Sequence, residues 1–94
     1  MFSTETSVEF SDGPTDDQTV LELTTADRPG LLSKVGQVFI REGIDIASAK
    51  IMTIGERAED VFYVSDLSGQ PMSREKKTKL AQTLREELDE NSKQ

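Results

Sequence analysis

Cysteine, histidine and tryptophan are all absent from this chain of 94 residues. Without cysteine the chain has no disulfide framework, no thiol nucleophile and no thiolate ligand for a metal ion. Without histidine as well, the usual pairs of nucleophile and base cannot be assembled, and the pattern supplies no neighbours for a serine–lysine or carboxylate alternative. We therefore expect no catalytic residue, no metal site and no cofactor.

Basic residues are few, with 11 lysines and arginines against 18 aspartates and glutamates, so the net charge is −7. Such a charge repels nucleic-acid phosphates and anionic membrane surfaces. No stretch approaches the roughly 18 apolar residues of a membrane span, and residues 1–7 lack the basic and apolar segments of a secretion signal. We expect one small cytoplasmic domain that binds neither nucleic acid nor membranes.

Alternating apolar and polar residues predict the first strands. In residues 19–25 the alternation places Leu21 and Leu23 on the side that faces the core. Residues 8–10 form a shorter triplet that predicts one brief strand, followed by a polar loop. We expect the folded domain to span residues 8–88, with flexible ends at 1–7 and 89–94.

A helix is predicted from Pro29 to Glu42, because apolar residues at positions 31, 32, 35, 38 and 39 recur with helical period. Gly43 suits the left-handed conformation that ends a helix. Gly36 lies inside the helix, where glycine costs roughly 1 kcal/mol relative to alanine. We expect a close contact with a neighbouring element to explain it.

The next predicted strand changes its apolar parity in the middle. Ile44 and Ile46 share one side of the strand, whereas Ala49 and Ile51 share the other. A bulge near Ala47-Ser48 would bring all four side chains to one face.

This strand ends near Ile54, and residues 55–57 are short enough to form a hairpin connection. The following strand, predicted at residues 58–66, should therefore run antiparallel to it, with Phe62 and Val64 facing the core. Ser73 is the expected N-cap of a final helix. The apolar stripe of that helix comprises Leu80, Ala81, Leu84 and Leu88.

The hexapeptide Asp27-Arg28-Pro29-Gly30-Leu31-Leu32 joins the strand pattern to the helix pattern through a Pro-Gly turn. Unpaired N–H groups emerge at a helix N-terminus and attract carboxylates, and glycine allows close approach to the backbone. The same residues are also typical of an ordinary junction between a strand and a helix. On geometry alone, both a ligand loop and a plain turn stay open.

The succession of a strand, Asp-Arg-Pro-Gly-Leu-Leu and a helix resembles the start of an ACT domain, a small regulatory module that binds amino acids. The runs Thr53-Ile54-Gly55-Glu56-Arg57 and Asp60-Val61-Phe62-Tyr63-Val64 narrow the resemblance. They are similar to the C-terminal ACT domain of the bacterial bifunctional uridylyltransferase/uridylyl-removing enzymes, which modify the PII signalling protein. The resemblance implies that nucleotidyltransferase and metal-dependent phosphohydrolase domains of a parent enzyme carry out the chemistry.

The resemblance also implies an α+β fold, a ferredoxin-like four-stranded antiparallel sheet with two helices on one face. ACT domains usually have the order βαββαβ, whereas the pattern here is ββαββα because nothing strand-like follows Leu88. In the family the last strand lies at the sheet edge beside the first. We expect residues 8–10 to take that edge position, paired with residues 19–25.

In function, the resemblance implies a domain that binds a free amino acid, with glutamine expected, and so controls the uridylylation and deuridylylation of PII. In the family the effector lies between this loop and the start of the second strand of an adjacent ACT domain. The expected partners are the amino acid, an adjacent ACT domain or a second copy, and the parent catalytic domains. The alternative is a structural docking or dimerisation module without a ligand of its own.

The loop amides are expected to hold the α-carboxylate of the effector. Asp27 either accepts hydrogen bonds from the ligand ammonium or caps the helix, and the sequence leaves these two roles open. The expected effector-binding residues are Asp27, Arg28, Pro29, Gly30, Leu31, Leu32, Ala47 and Ser48.

Four carboxylates lie close together in the second half of the sequence, at Glu56, Glu59, Asp60 and Asp66. They suggest a metal cluster, but clustered charges are usually solvated. We expect solvation and turn formation for them.

The open side of the predicted sheet carries a possible apolar patch. It would form if Tyr63 and Val61 face away from the helices together with Val20 and Ile54. Such a patch would suggest a partner or dimer surface.

Overall fold

The computed structural model describes residues 5–89. Within them the chain forms five strands and two helices in the order ββαβββα. The elements are β1 (Ser7–Asp12), β2 (Thr19–Ala26), α1 (Leu31–Glu42), β3 (Ile44–Lys50), β4 (Thr53–Ile54), β5 (Arg57–Asp66) and α2 (Arg74–Asp89).

The strands form one antiparallel sheet in the order β1-β2-β5-β3, and the short β4 continues the edge beside β5. Both helices cover one face of this sheet. The α+β, ferredoxin-like architecture implied by the resemblance is therefore confirmed, with β3 and β4 together in the place of one long edge strand.

Strand β1 occupies the edge position expected for it and is longer than the predicted triplet. Val8 pairs with Leu23 and Phe10 pairs with Leu21, so both apolar side chains face the helices. Thr6, just before β1, continues the contact with β2, because its hydroxyl lies 2.8 Å from that of Thr25. The Thr6 hydroxyl also connects this end of β1 to α2, since it donates to Oδ1 of Asp89 at 2.6 Å. Of the ends predicted to be flexible, Ser7 lies in β1, and Thr6 and Asp89 are hydrogen-bonded to each other. Residues 1–4 and 90–94 lie outside the described residues.

Helix α1 begins at Leu31, two residues later than predicted. The difference arises because Gly30 has φ of 79°, a left-handed conformation that cannot continue a right-handed helix. At the other end Gly43 is left-handed as predicted, with φ of 72°, and its N–H donates to the carbonyl oxygens of Ile40 and Phe39.

The expected close contact at Gly36 is wrong. Apart from the backbone of its own helix, a Cβ atom at Gly36 would meet no atom of residues 5–89 within 4 Å. Gly36 therefore lies on an open flank of α1.

The parity change in the third strand is a bulge, as predicted. The register of β3 against β5 shifts between Ile46 and Ser48, so Ala47 is the extra residue. The strand also has a second irregularity that was not predicted. Ile51 and Met52 leave the strand before β4 begins. The Met52 N–H donates to the side chain of Asp60 instead, at 3.2 Å.

The core lies between the sheet and the two helices. Phe39 of α1 meets Phe62 of β5 edge to face, with ring centroids 5.1 Å apart. Ser73 caps α2 as predicted, since its hydroxyl accepts the Lys76 N–H at 3.2 Å. The residues predicted to face the core from the strands and from α2 are buried, namely Leu21, Leu23, Phe62, Val64, Leu80, Ala81, Leu84 and Leu88. In the apolar set of α1, Leu32 is the exception, since it is 48% exposed whereas the other four are buried.

Among the described helices, none has the length and apolar character needed to cross a membrane.

Candidate functional site

The N-terminus of α1 presents two backbone N–H groups that have no acceptor in the described part of the chain. The Leu31 N–H donates to the Arg28 carbonyl at 3.2 Å, and the Lys34 N–H closes the first helical turn onto Gly30 at 3.0 Å. Between them, the amides of Leu32 and Ser33 have no hydrogen-bond partner within residues 5–89. Because the first turn carries neither a side-chain cap nor an acidic residue, its partial positive charge is not offset.

A cavity of about 240 Å³ adjoins Ser33 at this helix end. It lies between the first turns of α1 and the last turn of α2, with basic and amide side chains among its walls. The lining residues are Arg28, Pro29, Gly30, Leu31, Ser33, Lys34, Gln37 and Leu88. Four residues of the predicted loop are thus brought together, whereas Asp27 and Leu32 lie outside this lining.

The two flanks of α1 have different surroundings. Lys34 and Gln37 lie on the flank that faces α2, where Arg41 forms an ion pair of 3.6 Å with Glu87. Leu32 and Ile40 lie on the opposite flank and are 48% and 81% exposed. The Leu32 and Ser33 amides emerge at the helix end, between these two flanks.

Asp27 does not cap the helix. Its own N–H donates to the Glu56 carbonyl at 2.9 Å, and the cap position belongs to Gly30. The capping role that the sequence left open is therefore wrong. Within the described residues the Asp27 carboxylate has no hydrogen-bond partner, which leaves it available to a cation.

Comparison with known proteins places this geometry in a family. A family model of the ACT domain matches residues 19–86, from the start of β2 through most of α2. The chain belongs to the ACT domain family. Strand β1 precedes the matched range, in agreement with its role as a substitute for the usual last strand.

The most similar relatives of this ACT domain include three bacterial bifunctional uridylyltransferase/uridylyl-removing enzymes. The enzyme of Psychrobacter sp. (strain PRwf-1) is 46% identical over 83 residues, which is 88% of this chain and 9% of that enzyme. That of Acinetobacter baylyi is 44% identical over 93 residues, 99% of this chain and 10% of the enzyme. That of Methylococcus capsulatus is 50% identical over 74 residues, 79% of this chain and 8% of the enzyme. The chain thus spans about a tenth of the length of these relatives.

Ala47 and Ser48 are not walls of this cavity. They lie at the bulge of β3, where both are exposed, and the loop lies at the far end of β2. In this ACT domain they therefore do not join the loop residues in one site. The expectation that a neighbouring domain supplies them stays a prediction.

Asp60 is a buried carboxyl of this ACT domain, so the prediction that it is solvated is wrong. It is 1% exposed, because its place on β5 gives it the same facing as Phe62. Its Oδ1 accepts the Met52 N–H, whereas Oδ2 has no partner among the described residues. Burial raises the pKa of Asp60, and the nearby charge of Asp27 adds to the increase.

Asp66 does form the turn expected of it. Its Oδ1 accepts the N–H groups of Gln70 and Ser68, both at 2.9 Å, and the Ser68 hydroxyl at 2.7 Å. These bonds, the Gln70 amide first, lower the pKa of the carboxyl. Residues 5–89 contain no group of three or more acidic side chains placed to hold a metal ion.

Proposed function

We propose that this ACT domain binds a free amino acid, glutamine in the first instance, with the α-carboxylate on the Leu32 and Ser33 amides. These two amides without acceptors are the observation that carries the proposal. A hydrogen bond to a charged group contributes about 1.5–3 kcal/mol, and the helix dipole adds about 0.3–1 kcal/mol. Together they are sufficient for the recognition of a small zwitterion.

The cavity beside these amides suits glutamine. Gln37 lines it with an amide that both donates and accepts hydrogen bonds, which is the pattern the glutamine side chain requires. Lys34 adds a positive charge near the proposed carboxylate site. The Asp27 carboxylate is the proposed acceptor for the ligand ammonium.

An adjacent ACT domain is the proposed second wall. Exposed large apolar side chains lie both on the flank of α1 that faces β3 and on the sheet edge itself, and exposed apolar surfaces mark interfaces. These side chains are Leu32, Ile40, Ile46 and Ile51, between 41% and 81% exposed. A domain docked here would bring its own Ala47 and Ser48 towards the loop. The N-terminus of α1 would then border both the cavity and this interface.

In a parent enzyme resembling the relatives, glutamine would favour one arrangement of ACT domains over another. That preference would shift the balance between uridylylation and deuridylylation of PII. A coupling free energy of about 1–3 kcal/mol corresponds to a 5–150-fold effect. This range is ordinary for allosteric proteins.

A pair of variants at Ser33 tests the carboxylate site. Ser33→Pro removes the N–H at a position where proline is tolerated and no hydrogen bond is lost, whereas Ser33→Ala retains the N–H. We expect Ser33→Pro to weaken glutamine binding by about tenfold or more, and Ser33→Ala to bind like the wild type. Calorimetric titration measures both, and equal affinities in a folded Ser33→Pro chain would refute the proposal.

Docking without a ligand is the second candidate function, favoured by the exposed apolar surface beside β3. Glutamine that changes neither the heat of titration nor the association of the chain would support it. In that case Ile40→Asp, which places a charge on the surface, should still abolish association with a second ACT domain.

A further inference from the structure

The open face of the sheet, opposite the helices, carries a half-buried apolar strip. Val20 of β2 lies directly opposite Tyr63 of β5, and Val61 is the next outward residue along β5. All three are partly buried although no described element covers this face. The condition stated for an apolar patch is thus met, because Val61 and Tyr63 face away from the helices together with Val20, and Ile54 lies opposite the outward Arg57.

The charges in the row that contains Val61 are divided between the two sides of the sheet. One row of paired residues crosses all four strands, from Glu9 through Glu22 and Val61 to Lys50. The acidic members lie on β1 and β2, and the basic member lies on β3. None of these three charged side chains has an ion-pair partner within residues 5–89.

Glu9 and Lys50 cannot pair within one molecule. They lie at opposite edges of the sheet, three strand spacings or about 14 Å apart. Glu59, the other acidic residue of this face beside Val61, already pairs with Arg57 at 2.7 Å.

A second copy of the chain pairs two of these three charges, Glu9 and Lys50, under one symmetry. If two open faces stack about a twofold axis parallel to the strands, β1 of one copy lies over β3 of the other. Because Glu9 and Lys50 share a row, each then faces the other across the interface, and Val20 faces Tyr63. A twofold axis perpendicular to the strands would instead place Glu9 over Glu9.

Stacked sheets usually cross at an angle of about 30°, and this angle changes little in which residues face each other across the interface. At the outer strands it displaces facing residues by roughly 4 Å, which the side chains of glutamate and lysine can span.

We infer that the open sheet face is a self-association surface on which two copies stack sheet to sheet with Glu9 opposite Lys50. A four-stranded face of this length covers roughly 450 Å² per copy, so the pair would bury about 900 Å², below the standard interface size. The association is therefore weak in the isolated chain. It is independent of the ligand and uses a surface separate from the β3 flank.

Sedimentation equilibrium of the full chain at concentrations up to about 1 mM tests the inference through charge reversal. Lys50→Glu and Glu9→Lys should each weaken dimerisation by about tenfold or more, because each places like charges opposite one another. The double variant, which restores opposite charges, should recover the affinity to within about threefold. Lys79→Glu makes the same change of charge on the exposed surface of α2 and should leave the affinity unchanged.

The double variant separates this arrangement from other dimers. Stacked faces bring Glu9 of one copy to Lys50 of the other, so recovery of a closed dimer in the double variant supports the inference. Addition of β1 of one copy to the β3 edge of another would also bring these residues together, but it leaves two edges free and gives assemblies larger than a dimer, and that result overturns the inference. A wild-type chain that stays monomeric throughout overturns it. So does a dimer that ignores Lys50→Glu, or a double variant as weak as the single ones.

Discussion

At the scale of single residues, Asp60 is the position where the fold carries an uncompensated polar group. A carboxyl with one unpartnered oxygen and 1% exposure is costly when ionised. The folded chain therefore binds the Asp60 proton more tightly than the unfolded chain does, which is the meaning of the raised pKa. The stability that Asp60 contributes falls as the pH rises from 3.8, the ordinary value, through the raised pKa.

This residue yields a prediction with a defined sign. Asparagine cannot ionise, so Asp60→Asn should gain stability relative to the wild type as the pH rises from about 3 to about 7. Urea unfolding at a series of pH values measures the difference. Parallel stability curves for the two proteins would contradict the account.

Asp66 provides the matched control, because hydrogen bonds lower its pKa. Its contribution to stability is present above 3.8 and is lost as the pH falls through the lowered pKa. Asp66→Asn should therefore lose stability relative to the wild type over the same rise in pH, opposite in sign to Asp60→Asn.

At the scale of elements, α1 keeps a glycine that its own packing does not require. Nothing lies within 4 Å of a Cβ at Gly36, and this position shares the open flank with Leu32 and Ile40. A neighbouring domain on that flank would approach the bare backbone closely. We interpret Gly36 as a contact point of the interface proposed beside β3.

Gly36→Ala should stabilise the isolated chain by about 0.5–1 kcal/mol, because alanine is favoured over glycine inside a helix and no neighbour resists the methyl group. The same change should weaken association with a second ACT domain. Urea unfolding and sedimentation measure the two effects. Gly43→Ala is the control, since its φ of 72° makes a side chain unfavourable, and it should destabilise the chain. A Gly36→Ala chain no more stable than the wild type would contradict the interpretation.

The elements also show which information the sequence carries. The parity of Ile44, Ile46 and Ala49 predicted the bulge, because side-chain alternation is a local property. The break at Met52 depends on the side chain of Asp60, eight residues later, and no local pattern contains it. Asp60 has the same parity as Phe62, and the alternation alone would have predicted it to be buried. It was predicted to be solvated because it is charged.

At the scale of the whole molecule, periodicity and the family resemblance together were sufficient to predict the sheet order. They also predicted that the loop of residues 27–32 leads into the N-terminus of α1. The sequence did not predict the flank of α1 on which the cavity lies, because that depends on how α2 packs beside Lys34 and Gln37. Nor did it predict which amides stay free. That depends on Gly30, whose left-handed turn directs the Leu31 N–H back to Arg28.

The whole chain is about a tenth of the length of its relatives. Under the proposed function, an effect on catalysis would therefore pass through contacts with other domains. The two surfaces described here, the β3 flank and the open sheet face, are separate. One ACT domain can therefore contact two neighbours at once. The proposed ligand site at the end of α1 adjoins only the first of them.

The most direct test of the central claim is the amide spectrum of the ¹⁵N-labelled chain during a glutamine titration, with glycine as the control ligand. The account predicts saturable shifts that are largest at the Leu32 and Ser33 amides, extend to Gln37, and are weaker with glycine. Amides of Leu32 and Ser33 that do not move at about 10 mM glutamine would contradict it.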